Sequence, residues 1–403
     1  MGRIICQDLK NLLSNRFSIH QHGFLRNRSC TTALLHSFST YKSVIDRDKH
    51  LDVVFFDFQK AFDKVPHDSL LRKLDIFGVP QIFINWFTSF LSRRTFSVRV
   101  GFHSDPCRYP IPSGVPQGSV SGPFLFLIFI NDLFSLLPQE INFTAFADDL
   151  KIYSSSPALL QKTIDIIHTI NNRLPLAEAK TYLLHLNPVS NPGHQYFIAG
   201  SPILCSNSVK DLGILFDTKL NFSSHINRIV SVALLRSKQL LKSFKSNNPL
   251  LYANLFKTYV LPILEYGSAV FSPRPNSLAA AKLEKPLRFF SAKVHQRCNL
   301  TYSSYEYRLS TLNISSIKHR RLKTQLWLLY KIISNTAHFP NIGNFIKISS
   351  SPRRPMNLLR VSKSNKDFFA QVVPIWNAVT ANTPVFLPPS KFLALLDKSL
   401  SRL

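Results

Sequence analysis

INFTAFADDLKIYSSS, residues 141–156, reads as two strands joined by a tight turn at Ala147 to Asp149, so that two acids ride on the turn. Alone, an FADD is most often a solvated turn. It gains weight from LDVVFFDF, residues 51–58, which is rich in Val and Phe and carries acids near both ends. That stretch reads as a buried strand finishing at the carboxylate of Asp57. The fold therefore turns on whether these segments join in one sheet and bring Asp57 to Asp148 and Asp149.

Outward from this pair the chain alternates helix and strand. DSLLRKLDIF (68–77) places Leu70, Leu71, Leu74 and Phe77 on one helical face, with Asp68 as cap and Gly78 as stop, and a second helix begins after Pro80. TFSVRVGF (95–102) alternates as a strand. Pro106, Pro110, Pro112 and Pro116 then mark a long loop that carries Gly114 to Gly118. Phe124 to Leu137 suits a buried helix and Thr163 to Leu174 a second one, while VKDLGILFD (209–217) reads as one strand with Gly213 inside it. From Ser223 onward strand signals fade, and lysine-studded segments show helical periodicity. ISSSPRRP (348–355) reads as a linker, and the last 45 or so residues are expected to fold back.

At 403 residues and 45% hydrophobic content the chain builds a substantial core and is no disordered tail. Its five cysteines show no paired spacing, which argues against a zinc ribbon or a disulfide framework and fits a reducing, intracellular setting, nucleus or cytoplasm. The longest apolar run, 123–130, is too short to span a bilayer, and the start lacks a secretory signal. No membrane association is expected. The formal charge is +27, and 33 of the 49 Lys and Arg but only 9 of the 22 Asp and Glu lie beyond residue 150. Such an excess attracts phosphate polymers, although a solvated basic surface is the plainer alternative.

Two strand-end carboxylates brought together can bind two magnesium ions, which stabilise the attacking and leaving oxygens of a phosphoryl displacement. With a Pro-Gln-Gly loop between them in sequence, the order and spacing resemble the palm of reverse transcriptases, specifically those of jockey-like, LINE-type non-LTR retrotransposons. QHGFLRNRSCTTAL (21–34) resembles the end of the fingers, FFDFQKAFDKVPHDSLLRKL (55–74) the first catalytic motif, and SGVPQGSVSGPFLFLIFINDL (113–133) the template and nucleotide loop. FADDLKIY (146–153) resembles the second catalytic motif, VKDLGILFDTKLNFSSHI (209–226) the primer grip, and LFKTYVLPILEYGSAVFSP (255–273) the thumb.

The resemblance implies an α+β fold: a right-hand polymerase palm of antiparallel sheet and packed helices with partial fingers, followed by a mostly helical thumb and C-terminal region. Its divisions would be 1–50 partial fingers, 51–222 palm, 223–280 thumb, 281–347 helical C-terminal region and 348–403 linker and tail. It implies an RNA-directed DNA polymerase working on an RNA template, a DNA primer or target and deoxynucleoside triphosphates. Two magnesium ions, or manganese in their place, would be held by Asp57, Asp148 and Asp149. Phe58 and Phe62 would line the substrate site, Phe62 as an aromatic floor that rejects a 2′-hydroxyl or as ordinary core beside Phe58. Pro116, Gln117 and Gly118 would pack on the incoming nucleotide and template. Lys180 resembles the lysine that serves the pyrophosphate leaving group, or is a plain surface lysine of an amphipathic segment.

The match also departs from the family. Relatives begin their fingers earlier, with an Arg-Pro pair that seats the triphosphate, so a truncated N-terminus is expected, with Arg26 and Arg28 as candidates for that task. The lysine segment reads LPLAEAKT (174–181), with Ala177 where Asn is usual. These departures leave open a catalytically inactive, nucleic-acid-binding derivative.

Overall fold

The computed structural model describes residues 2–170, 174–191, 193–274, 276–301, 303–348, 359–361, 368–381, 383 and 387–400. They fall into two compact units, one formed by Met1–Ala33 with Arg47–Asn207 and the other by Leu34–Asp46 with Ser208–Leu403.

The first unit contains α1 (Gly2–Leu12), α2 (Cys30–Asp48, whose middle belongs to the second unit), β1 (Leu51–Phe56), α3 (His67–Ile76) and α4 (Gln81–Leu91). A ribbon follows, β2 (Thr95–Phe96), β3 (Arg99–Val100), β4 (His103–Ser104) and β5 (Tyr109–Pro110). Then come α5 (Gly122–Ser135), β6 (Asn142–Phe146), β7 (Asp149–Ser154), α6 (Pro157–Ile170), β8 (Tyr182–Leu186), β9 (Phe197–Ile198), β10 (Ser201–Pro202) and β11 (Leu204–Cys205).

Five of these strands form one sheet in the order β11-β8-β1-β7-β6, antiparallel except for the β11–β8 edge. β1 is central because LDVVFF is apolar along nearly its whole length and can be covered on both faces. Val53 and Val54 are fully buried. α5 packs into the same core with Pro123 in its first turn and apolar residues on nearly all sides, and only Asp132 and Ser135 near its end are exposed. One buried acid, Asp52, is tied down on β1 by His185 Nδ1 (2.7 Å), Asn191 Nδ2 (2.6 Å) and the Tyr196 hydroxyl (2.6 Å). These bonds hold its carboxyl below the usual range against the opposing effect of burial.

The second unit contains β12 (Ser208–Asp211), β13 (Ile214–Asp217), α7 (Ser223–Ser243), α8 (Pro249–Tyr259), α9 (Leu261–Glu265), α10 (Leu278–Arg297), α11 (Tyr305–Leu312) and α12 (Ile317–Ile333). β14 (Ile346–Ile348), β15 (Leu359–Val361), α13 (Phe368–Thr380) and α14 (Pro389–Leu400) complete it. α12, α13 and α14 share a core around Trp376, Phe369 and Leu329. Among the described residues no helix is long and apolar enough to cross a membrane.

The mixed α+β architecture agrees with expectation, and three elements differ from it. VKDLGILFD is a hairpin, not one strand: Leu212 (φ +41°) and Gly213 (φ +88°) both take positive φ, the two-residue type I′ turn that reverses β12 into β13. TFSVRVGF is broken into β2 and β3, because the ribbon changes register between Phe96↔Tyr109 and Val100↔His103. The helix expected at 163–174 runs from Pro157 to Ile170; residues 171–173 and 349–355, the latter most of the expected linker, lie outside the described residues.

Candidate active site

Asp57 immediately follows β1, and Asp148 is the second residue of the two-residue turn between β6 and β7. β1 and β7 are antiparallel neighbours with Phe56 opposite Leu150, so both acids leave the same end of the same central strand pair. Each is half-buried. Burial, and then the negative charge of Asp57, push the Asp148 carboxyl above its usual range. Asp149 opens β7 and is exposed.

The turn itself is strained. Ala147 takes φ +56° while Asp148 does not, the type II′ pattern whose first position normally belongs to glycine. An L-residue there costs about 1–2 kcal/mol. Gln21, whose side chain is buried, spans the strained peptide: Oε1 accepts from the Ala147 N–H at 2.8 Å and from the Gly23 N–H at 2.8 Å, and Nε2 donates to the Ala147 carbonyl at 3.2 Å. The chain before it runs along β6, with Ala145 N–H donating to His20 O (3.0 Å) and His22 N–H to Ala145 O (2.7 Å). A Cβ on Gly23 would lie 2.4 Å from the Ala147 nitrogen, so glycine is needed for this approach. Arg28 does not stand ready for a triphosphate. Its Nη1 donates to Ser18 O (2.6 Å) and to Gln21 O, and burial lowers its pKa to about 10, which makes it a brace of the same segment.

Lys180 is brought to Asp57 by its own backbone neighbours. Gln59 N–H donates to Pro175 O (2.9 Å) and Ala177 N–H to Asp57 O (2.7 Å), which draws residues 175–180 alongside the end of β1. Lys180 Nζ lies 3.5 Å from Asp57 Oδ2, with both side chains more than a third exposed. Such a pair adds little stability and leaves the ammonium free to move.

The loop at 113–118 is latched over the segment after Asp57. Gly114 N–H donates to Val65 O (2.7 Å) and Val115 N–H to Phe62 O (2.8 Å), while Gln117 Nε2 donates to Asp63 Oδ1 at 2.8 Å. Gly114 (φ +93°) abuts the Asp63 backbone so closely that a Cβ would come within 2.7 Å of it. Gln117 and Gly118 are exposed and Pro116 is half-buried. The Phe62 ring stacks on Phe126 of α5 (4.3 Å, 18°) with Phe24 edge-on at 6.4 Å, and it is half-buried. Phe58, in contrast, is 4% exposed within the core, which leaves its ring no open face for a substrate.

Among the described residues no group of three or more His, Cys, Asp or Glu side chains is arranged to hold a metal ion. The donor set still fits magnesium, which takes one or two protein carboxylates and fills its remaining positions with water and substrate phosphate oxygens. The repulsion that raises Asp148 is what a bound cation would relieve. Gln21, Gly23 and Asp63 escaped the reading of the sequence. Only the glycine two residues after an amide in QHGF hints at them, because their partners across the fold lie 50 to 126 positions away.

Residues 1–216 match the family model described as reverse transcriptase (RNA-dependent DNA polymerase). An uncharacterized protein of Caenorhabditis elegans is 36% identical over 188 residues, which cover 45% of this chain and 94% of that one. The RNA-directed DNA polymerase from mobile element jockey of Drosophila melanogaster is 28% identical over 314 residues, 73% of this chain and 33% of its own length. The chain thus spans about a third of that polymerase. Among solved structures, apo telomerase from Candida tropicalis superposes with a TM-score of 0.44 at 13% identity, over 83% of this chain and 58% of that one.

Proposed function

Since the chain belongs to the reverse transcriptase (RNA-dependent DNA polymerase) family, of the non-LTR retrotransposon kind, we propose that it is an RNA-directed DNA polymerase that extends a primer 3′-hydroxyl along an RNA template. The observation that carries this reading is the pairing of Asp57 and Asp148 at one end of two adjacent central strands, close enough for one charge to raise the other's pKa.

Asp57 and Asp148 would hold the divalent ions, with Asp149 supporting them from the start of β7, and two magnesium ions, or manganese in their place, would supply Lewis-acid stabilisation of the attacking and leaving oxygens. Lys180, already at Asp57, meets the negative charge or the proton demand of the departing pyrophosphate. The half-buried Phe62 ring lies under the sugar and excludes a 2′-hydroxyl, while Pro116, Gln117 and Gly118 form a surface for the incoming deoxynucleotide and the template. In this reading the first unit carries the palm with adjoining fingers, and the thumb lies in the second. A groove between α7 and α10 lined by Lys238, Lys242, Lys293 and Arg297 offers a run of cations for the phosphates of a duplex.

Primer extension tests the proposal. The chain with poly(rA), oligo(dT), dTTP and magnesium is expected to lengthen the primer, and the Asp148→Asn chain to leave it unchanged. Equal extension by both forms, or none by the unaltered chain, rejects it.

A further inference from the structure

Residues 93–111 form a ribbon with no core of its own. Every residue from Thr95 to Ser104 is exposed, and two-stranded ribbons of this kind are marginal by themselves. β2 pairs with β5 and β3 with β4, and at the tip Gly101 (φ +61°) and Phe102 make a two-residue turn of the II′ pattern. This geometry turns the Phe102 ring into solvent: it is 97% exposed, and Val100 beside it is 75% exposed. A phenylalanine so exposed at a turn tip gains nothing from burial in this fold, which leaves its ring open to contact with something else.

Charge narrows the partner. The ribbon holds Arg93, Arg94, Arg99 and Arg108 against one acid, Asp105, and that acid is hydrogen-bonded within the ribbon itself. Asp105 accepts from the Cys107 N–H (2.9 Å) and the Tyr109 hydroxyl (3.1 Å), bonds that fix the bulge on the returning strand. The base of the ribbon is closed by Ile111 N–H donating to Arg94 O (2.9 Å), two residues before the latched loop that runs from Ser113 to Gly118. The arm therefore grows from the loop beside the carboxylates and belongs to the same compact unit. Arginines with an uncovered ring are the chemistry of single-strand binding, in which cations follow the phosphates and an aromatic face takes an unpaired base. An acidic protein surface would satisfy the arginines without using the ring, and one aromatic tip inserts too little to anchor a membrane by itself.

We infer that residues 93–111 are a strand-binding arm in which Phe102 stacks on an unpaired base of an RNA strand while Arg99 and Arg108 meet its phosphates. This inference rests on the polymerase reading for the identity of the strand.

The test is a titration of the full chain, in EDTA, with single-stranded RNA carrying 2-aminopurine, beside the matching duplex and anionic phosphatidylserine vesicles. The expected result is quenching of 2-aminopurine on single strands, lost in Phe102→Ala with affinity weakened roughly tenfold, and unchanged duplex binding. Arg99→Glu with Arg108→Glu is expected to lower the slope of log affinity against log salt by about one to two. Phe102→Leu, apolar without a stacking face, is expected to behave as Phe102→Ala, and circular dichroism checks that each form is folded. Unchanged quenching and affinity in folded Phe102→Ala overturns the arm, as does a Phe102 requirement for vesicles with none for RNA. No metal or nucleotide is present, so this result is independent of primer extension and the two readings fail separately.

Discussion

Two acids, Glu284 in the second unit and Asp148 in the first, meet opposite fates. In the second unit Glu284, 8% exposed, accepts from the Tyr305 hydroxyl, from Ile317 N–H (3.0 Å) and from Lys318 N–H (3.2 Å) at the start of α12. Its neighbour in the fold, Arg321, gives Nη1 to Leu264 O (3.1 Å) and lies over the Phe271 ring at 4.5 Å. These charges are consumed internally, at a helix N-terminus and in a carbonyl cage, and they hold helices together. In the first unit Asp148 is raised by burial and by a second carboxylate, and the cation nearest to Asp57 is an exposed lysine. A carboxylate supplied with donors serves the fold, whereas a carboxylate set against its own kind keeps its lone pairs for something that arrives later.

The sharpest way to break this contrast is Asp148→Asn. Incorporation of deoxynucleotides is expected to fall by on the order of 10³-fold in a primer-extension assay, yet the protein should become more stable. A carboxyl whose folded pKa is raised weakens the folded state wherever it is ionised, and that penalty fades as pH falls through its folded pKa. Asp148→Asn is therefore expected to melt higher than the unaltered chain at pH 7, with the gain vanishing below about pH 4. A lower melting temperature at neutral pH would place Asp148 in the same class as Glu284.

Glu284→Ala is the mirror experiment. Losing the shared acceptor of three buried donors should cost about 2–4 kcal/mol, read as a shifted denaturant midpoint, while turnover per folded molecule is unchanged. A matching loss of turnover would join Glu284 to the chemistry and erase the distinction.

Gln21→Ala falls between the two. It strands the Ala147 amide in a buried turn, and kcat is expected to drop roughly 10–100-fold with KM for deoxynucleotide little changed. Gln21→Glu, which still accepts from both N–H groups, should recover part of the loss. Equal loss of kcat and of folded protein, without that recovery, would reduce Gln21 to a packing residue. The smallest effect concerns Phe62→Val, which should lower discrimination against ribonucleotides by about tenfold while deoxynucleotide use largely persists. Discrimination that does not move would leave Phe62 as the platform for Phe126 alone.

Much of the first unit was legible because its signals are local. The apolar run of β1 ends in Asp57, the FADD turn separates two short strands, and the apolar stretch of α5 declares a helix buried along nearly its whole length. Local signals misled where backbone sign decides the outcome. Leu212 is no turn former by type, and only its positive φ turns VKDLGILFD into a hairpin. At the candidate site the acids and Lys180 could be picked out by identity and order, and the structure brings Asp57, Asp148 and Lys180 together. The site was illegible in Gln21, Gly23, Asp63 and Arg28, whose meaning lies in contacts across the fold, and it was misleading in Phe58, where an aromatic beside a carboxylate proved to be core.

The placement of β1 also sets a timetable for synthesis. Both strands that flank it, β7 and β8, lie downstream in the chain, the nearer one separated by the whole of α3, α4, the ribbon and α5. At about 5–20 residues per second, a ribosome needs roughly 5–20 s after completing Phe56 to deliver the first partner. Through that interval LDVVFF is an apolar strand with both hydrogen-bonding edges open, the state most prone to pair with another nascent chain. Slower growth at lower temperature or a holding chaperone should thus improve the soluble yield of this protein more than any change to its finished surface.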